Sequence, residues 1–281
     1  MATAAVLPVP SSFTLPNGMT VFGLNVNDTL NVYHDIFGDD CYRKHGVTIR
    51  DGDCILDIGA NTGLFILFLN HIGVDVRVFA FEPAPSTFHV LSHNVEAHNR
   101  LPVEIFNVGI SQAAGKADFT YYPRFSNAST FYPDESPETA AVGRQYVIDQ
   151  IPTLPWGVRH FCAVLPRFIQ EIVAEMFRCY YLKKEVVSCE LWNLSDFIRD
   201  KDIRHVDLLK IDAEHSEEPI LSGITDDDWP KIRQTVIEVH GGNQATAKIC
   251  DMLHQRGMRA TIDKNPAMPS LSLVYGVRER S

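Results

Sequence analysis

Ile55-Leu56-Asp57-Ile58-Gly59-Ala60-Asn61-Thr62-Gly63 is an apolar run, a glycine turn and the polar start of an amphipathic stretch. That succession is expected where a buried strand turns into a helix beneath a nucleotide-like ligand, because glycine lets the backbone come close to the ligand. A dinucleotide site spaces its glycines as Gly-x-Gly-x-x-Gly and lays a pyrophosphate on the helix N-terminus. The spacing of Gly59 and Gly63 is different. Asp57 stands at the strand end, where a carboxylate repels a pyrophosphate but suits a ligand carrying ammonium and sulfonium groups. The expected cofactor is therefore S-adenosylmethionine, with Asp57, Gly59, Asn61 and Gly63 in its site.

Working outward, the next apolar run ends in Phe79-Ala80-Phe81-Glu82-Pro83. The Glu82 carboxylate can accept both hydroxyls of a ribose, as acids do in other nucleotide sites. Its bland alternative is a helix cap ahead of Pro83. A third run closes at Asn107-Val108-Gly109, where backbone groups are expected against the adenine. Apolar runs at 54–58, 76–81, 103–107, 206–211 and 235–239 alternate with amphipathic stretches at 62–71, 85–98 and 244–255, and 271–277 adds a last strand. Such alternation predicts parallel βαβ units with helices on both faces of an open α/β sheet.

Ahead of this domain, 13–15 and 19–24 flank Pro16-Asn17-Gly18, which predicts a hairpin followed by a helix from about residue 28. Residues 1–12 are rich in Ala, Pro and Ser and read as a flexible leader. The expected organisation is a leader, hairpin and helix cap over 1–50 and one catalytic domain over 51–281. Residues 122–185 break the rhythm as a lid-like insertion. Its helix carries Phe168, Ile172, Met176 and Tyr180 at every fourth position, which fits either core packing or a cover over an apolar substrate.

Composition narrows the classes. Of 281 residues, 45% are hydrophobic and 21% charged, the balance of a folded chain. A formal charge of −10 at pH 7 argues against a protein that grips nucleic acid, whose surface would carry clustered Lys and Arg. The six cysteines form no Cys-x-x-Cys pair of the kind that marks zinc or redox sites. No secretory signal is present at the start and no apolar run has membrane-spanning length, so a cytoplasmic location with no membrane partner is expected.

Two runs end in polar clusters, Asp212-Ala213-Glu214-His215 and Glu238-Val239-His240. Methyl transfer to a hydroxyl requires removal of the acceptor's proton, and His is the usual base. His240 is the first candidate and His215 the second, with Asp212 beside them, because alternation turns Glu238 and His240 to one side of their strand. In an alternative arrangement Asp212, Glu238 and His240 hold one divalent cation that activates the acceptor. The structural alternative has Glu238 and His240 bonding loops while Glu214 and Glu217 face solvent. Lys210, inside its strand, is expected to pair with a nearby carboxylate in a structural role.

The stretches ILDIGANTG, AFEPAPSTFHVLSHN, Leu209-Lys210-Ile211-Asp212-Ala213-Glu214-His215 and Val236-Ile237-Glu238-Val239-His240 resemble the FkbM family of methyltransferases from about residue 51 onward. The resemblance implies a seven-stranded, mostly parallel class I methyltransferase fold of Rossmann-like type with an antiparallel final strand. It also implies O-methylation of small hydroxylated metabolites, often natural products. The hairpin and insertion look most like variants from polyketide and nonribosomal peptide assembly lines, which implies a substrate presented by an acyl or peptidyl carrier protein. Arg159, Arg167, Arg178, Lys183 and Lys184 outnumber the acids of the insertion helix and suit such an acidic partner. Two other readings are open: a nicotinamide-dependent oxidoreductase on the same fold, and a non-catalytic cofactor-binding module of a larger synthase.

Overall fold

The computed structural model describes residues 10–98, 100–133, 148, 165–264 and 270–278. Residues 1–9 of the expected leader and 134–147 and 149–164 of the insertion lie outside these.

The chain opens with β1 (Ser11–Thr14) and β2 (Thr20–Gly23), an antiparallel hairpin closed through Pro16-Asn17-Gly18, with Gly18 in the left-handed region. Ser11 and Ser12, expected in the leader, belong to the strand instead because they pair with Gly23 and Phe22. The helix Val26–Tyr33 follows, and Asn25 caps it by accepting the N–H of Asn27.

The large sheet then begins with β3 (Cys54–Ile58), the helix Leu64–Ile72, β4 (Arg77–Phe81), the helix Pro85–His98 and β5 (Val103–Phe106). After it come β6 (Gly109–Ser111), β7 (Gly115–Tyr121), the helix Arg167–Tyr181 and β8 (Glu185–Asn193). The helix Leu194–Asp200 leads to β9 (Leu208–Ile211), the helix Glu217–Ser222, β10 (Gln234–Val239), the helix Gly242–Gln255, β11 (Met258–Lys264) and β12 (Ser272–Arg278).

Seven strands form one sheet in the order β11-β12-β10-β9-β3-β4-β5. β12 runs antiparallel to both β10 and β11, and the other pairs are parallel. This is the mixed-sheet, Rossmann-like class I architecture that the resemblance implied. Successive residues of a strand face opposite sides, and the burial follows suit. Leu56, Ile58, Phe79 and Phe81 pack in one core, while Ile55, Val78, Ala80 and Leu208 pack in the other with Phe65 and Leu69. Sequence order reverses between β3 and β9, so the crevice beyond their carboxyl ends is the place for a ligand.

Two features were not expected. β11 exposes Arg259, Ile262 and Lys264 at the sheet edge and buries only Met258 fully, so its apolar signal is weak. A separate sheet, ordered β6-β8-β7, stands beside the large one. The insertion leaves from the end of β7 and returns at the start of β8, where Tyr121 pairs with Glu185, so it occupies the connection between two antiparallel strands.

The core-packing alternative for the insertion helix does not hold. Phe168, Ile172, Met176 and Tyr180 are 63%, 56%, 68% and 56% exposed, and only the opposite side reaches inward, through Ala174. No helix among the described residues is long and apolar enough to cross a membrane.

At the crevice floor the exits of β3 and β9 touch. The N–H of Asp212 donates to the carbonyl of Ile58 at 3.0 Å. Gly59, at φ +76°, lies so close to that strand end that a Cβ would stand 1.7 Å from the Asp212 carbonyl oxygen. Gly59→Ala is therefore expected to destabilise the fold by about 2–4 kcal/mol, from the clash and the left-handed backbone together. Denaturant unfolding measures it, and an unchanged midpoint would contradict the close approach.

Candidate active site

The glycine turn is wound by left-handed residues at Gly59, Asn61 and Gly63. Gly63 is required for packing as well, since a Cβ there would meet Leu91 at 2.7 Å. The backbone N–H of Asn61 donates to Glu82 Oε2 at 3.0 Å, and that of Ala84 to Oε1 at 2.9 Å. Each carboxylate oxygen thus accepts one N–H and keeps further acceptor capacity. Burial outweighs these bonds and lifts the Glu82 carboxyl to about 7.

Asn107 donates through Nδ2 to the carbonyls of Glu82 and Pro83, at 2.9 and 3.1 Å, and so braces the backbone that carries the acid. Gly109 is buried in β6, where a Cβ would stand 2.8 Å from Leu191 and from Phe131. Close packing within the second sheet, against Leu191 of β8 and Phe131, accounts for that glycine.

The structure corrects the physical role expected of Asp57. Its side chain is 0% exposed, and one oxygen is held by Lys210 Nζ at 2.8 Å. The two residues face each other in register across β3 and β9. Lys210 Nζ also donates to the carbonyl of Gly59 at 2.9 Å and lies 3.7 Å from Asp212 Oδ2. Burial works against the Lys210 ammonium, but the carboxylates of Asp57 and Asp212 hold its pKa above the usual lysine value. Asp57 therefore offers no net charge to an incoming ligand; it anchors the turn. Lys210 has the structural role expected of it. The Tyr42 hydroxyl, which no pattern in the sequence singles out, donates to Asp212 Oδ2 at 3.3 Å.

The polar ends of β9 and β10 do converge. His240 Nδ1 is 2.7 Å from Glu217 Oε1, and Nε2 is 3.2 Å from Glu214 and 3.5 Å from Glu238. Glu217, expected in solvent, is buried because its helix starts directly under His240. Burial disfavours the imidazolium, yet the bonds to Glu217 and Glu238 and the charge of Glu214 outweigh it and lift His240 to about 11. A histidine held charged at neutral pH is a poor proton acceptor, which reverses the expected ranking of His240 over His215. Burial lifts Glu214 to about 8 and also raises Glu238.

The expected metal trio of Asp212, Glu238 and His240 does not assemble. Among the described residues no group of three His, Cys, Asp or Glu side chains is disposed to hold a metal ion. Carboxylates occupy both His240 ring nitrogens instead. Beside them, Glu214 and His215 have φ of 29° and 67°, left-handed values that non-glycine residues rarely adopt. The hydroxyl of Thr130 donates to the Glu214 carbonyl at 2.5 Å and fastens this turn to the loop after β7. The rings of His215 and His240 lie 5.4 Å apart.

Comparison with known proteins bears on this site. The family described as Methyltransferase FkbM domain matches residues 57–260, which runs from Asp57 past His240. The chain is 35% identical over 265 residues to 31-O-demethyl-FK506 methyltransferase FkbM of Streptomyces tacrolimicus, covering 92% of each protein. It is 34% identical over 255 residues to the AMB antimetabolite synthetase AmbE of Pseudomonas aeruginosa, matching 88% of this chain and 11% of that protein.

Two measurements test the electrostatics. Lys210→Met strands Asp57 without its cation and is expected to lower stability by about 3–5 kcal/mol, part of which Asp57→Asn should restore in the double variant. An undisturbed single variant would remove the anchoring role. His240 is expected to carry protons on both ring nitrogens at pH 8, because its ordinary pKa of 6.5 is raised and not lowered. Ring-nitrogen NMR reads this directly, and a neutral ring at that pH would contradict the carboxylate cage.

Proposed function

Because the chain belongs to the FkbM methyltransferase family, we propose that it transfers the methyl group of S-adenosylmethionine to a hydroxyl, or a carboxyl, of a small natural-product intermediate. The observation that carries this reading is the pairing of two groups across the crevice: the Glu82 turn on one side and the carboxylate-caged His240 with His215 on the other. Family membership removes the nicotinamide alternative. The name of the 35% identical relative, a 31-O-demethyl-FK506 methyltransferase, supports oxygen as the acceptor.

The residues fit the cofactor. Gly59, Asn61 and Gly63 wind the turn close to the crevice, and Glu82 keeps acceptor capacity for ribose hydroxyls. Asn107 fixes the Glu82 backbone. When bound, S-adenosylmethionine supplies a methyl group on a sulfonium, ready for in-line attack.

The chain itself must orient the acceptor and take its proton. His215 is exposed at the end of β9 and is the proposed base. His240 acts as a positioning residue: held by Glu217, Glu214 and Glu238, its ring stands 5.4 Å from that of His215 and sets the place of the base. Asp212, bonded by Tyr42 and close to Lys210, holds the turn that carries His215.

Presentation of the substrate on an acyl or peptidyl carrier protein is a second reading, supported by the match within a synthetase. The basic face proposed for it is narrower than the sequence suggests. Arg167 pairs with Glu171 at 3.3 Å and Arg178 with Glu175 at 2.6 Å along the helix itself.

The test is incubation with methyl-labelled S-adenosylmethionine and hydroxylated polyketide acceptors, free and carrier-bound, with mass spectrometry of the products. Label on oxygen is the expected result, and label on carbon or nitrogen would overturn it. No label at all, with S-adenosylhomocysteine bound, would support a non-catalytic module. His215→Ala is expected to lower kcat about 10²–10⁴-fold. Full activity in that variant would remove it as the base.

A further inference from the structure

A second acid faces the glycine turn from the opposite wall, and the sequence reading gave it no role. Asp28 lies in the first turn of the helix Val26–Tyr33 and is only 7% exposed. Its neighbours Asn25 and Thr29, together with Asn61 and Thr62 of the glycine turn and Ser126 of the loop after β7, line a small cleft. Three separate parts of the chain therefore meet around this carboxylate.

One Asp28 oxygen is satisfied by the backbone N–H of Ser126. The other, Oδ2, is buried with no hydrogen-bond partner among the described residues. Burial, with no cation set against it, raises this carboxyl to about 6. The contrast with Asp57 is informative. Asp57, whose Oδ2 is likewise buried without a hydrogen-bond partner among the described residues, is sealed inside the sheet and paired with Lys210, whereas Asp28 borders the cleft with no cation beside it among the described residues. An uncompensated buried carboxylate is costly, and the simplest compensation is a ligand that brings a cation with N–H donors.

We propose that Asp28 is a cofactor-binding residue whose Oδ2 accepts a hydrogen bond from the α-ammonium of the amino-acid end of S-adenosylmethionine. This rests on the reading of the crevice as the cofactor site. With the ribose on Glu82, the adenine and the amino-acid chain must leave in different directions. Asn61 links the two acids, since its N–H binds Glu82 while its side lines the Asp28 cleft. The N-terminal hairpin and helix then do more than cap the sheet. They supply the group that distinguishes a ligand with a free amino acid from a bare adenosyl thioether.

The test compares two probes by calorimetry. S-adenosylhomocysteine has the α-ammonium; 5′-methylthioadenosine keeps the adenosine and the sulfur but lacks the amino acid. In Asp28→Asn the affinity for S-adenosylhomocysteine is expected to fall at least about tenfold, the worth of one charge-assisted hydrogen bond. Affinity for 5′-methylthioadenosine should stay within about twofold, and the melting temperature of the ligand-free variant should be equal or higher, because an unpaired buried charge has been removed.

If S-adenosylhomocysteine binds unchanged, or if both probes weaken alike, the assignment is overturned. If Tm falls and neither affinity changes, Asp28 is a helix-capping acid and the proposal fails too. Asp28→Ser repeats the comparison with a smaller group should the first variant not fold. Binding of neither probe to the parent protein would overturn the cofactor site itself, an outcome distinct from failure of Asp28 alone.

Discussion

The buried pair of Asp57 and Lys210 is the interaction on which the crevice depends. It joins β3 to β9 at the point where the strand order reverses, and the same ammonium holds the carbonyl of Gly59. A pair taken out of water on both sides adds little net stability over a well-packed apolar pair. Its value here is geometric. It fixes the exits of two neighbouring strands so that the glycine turn and the Asp212 turn pass within contact distance, which only Gly59 permits.

From that fixed point the charges of the crevice divide by how each is compensated. Asp57 has a lysine, Glu82 has two backbone N–H donors, and Glu217 has the imidazole of His240. The region at the ends of β9 and β10 gathers more carboxyl groups than cations, and burial first, then the neighbouring acids, raise Glu214 and Glu238.

The loop after β7 reaches two turns beside the crevice. Thr130, after β7, fastens the Glu214 turn, and Ser126 reaches Asp28 of the N-terminal helix. The loop between them spans the mouth from the hairpin side to the β9 side. The insertion helix contributes an exposed apolar face, carried on the same β7 to β8 connection.

Sequence alone determined the sheet strands with strong apolar runs, the hairpin, the glycine turn and the family, because each is written in consecutive residues or in short-range periodicity. β11 and the second sheet were hidden because half-exposed strands carry polar residues that dilute the pattern. Which acid meets which base depended on the tertiary structure. Lys210 lies far along the chain from Asp57, and Glu217 reaches His240 from a helix that looked solvent-facing, so proton and charge assignments changed once those distances closed. The residue types at the crevice were set by the chain; which of them are neutralised was set by register and packing, since the energy of a buried charge depends on neighbours that linear order does not name.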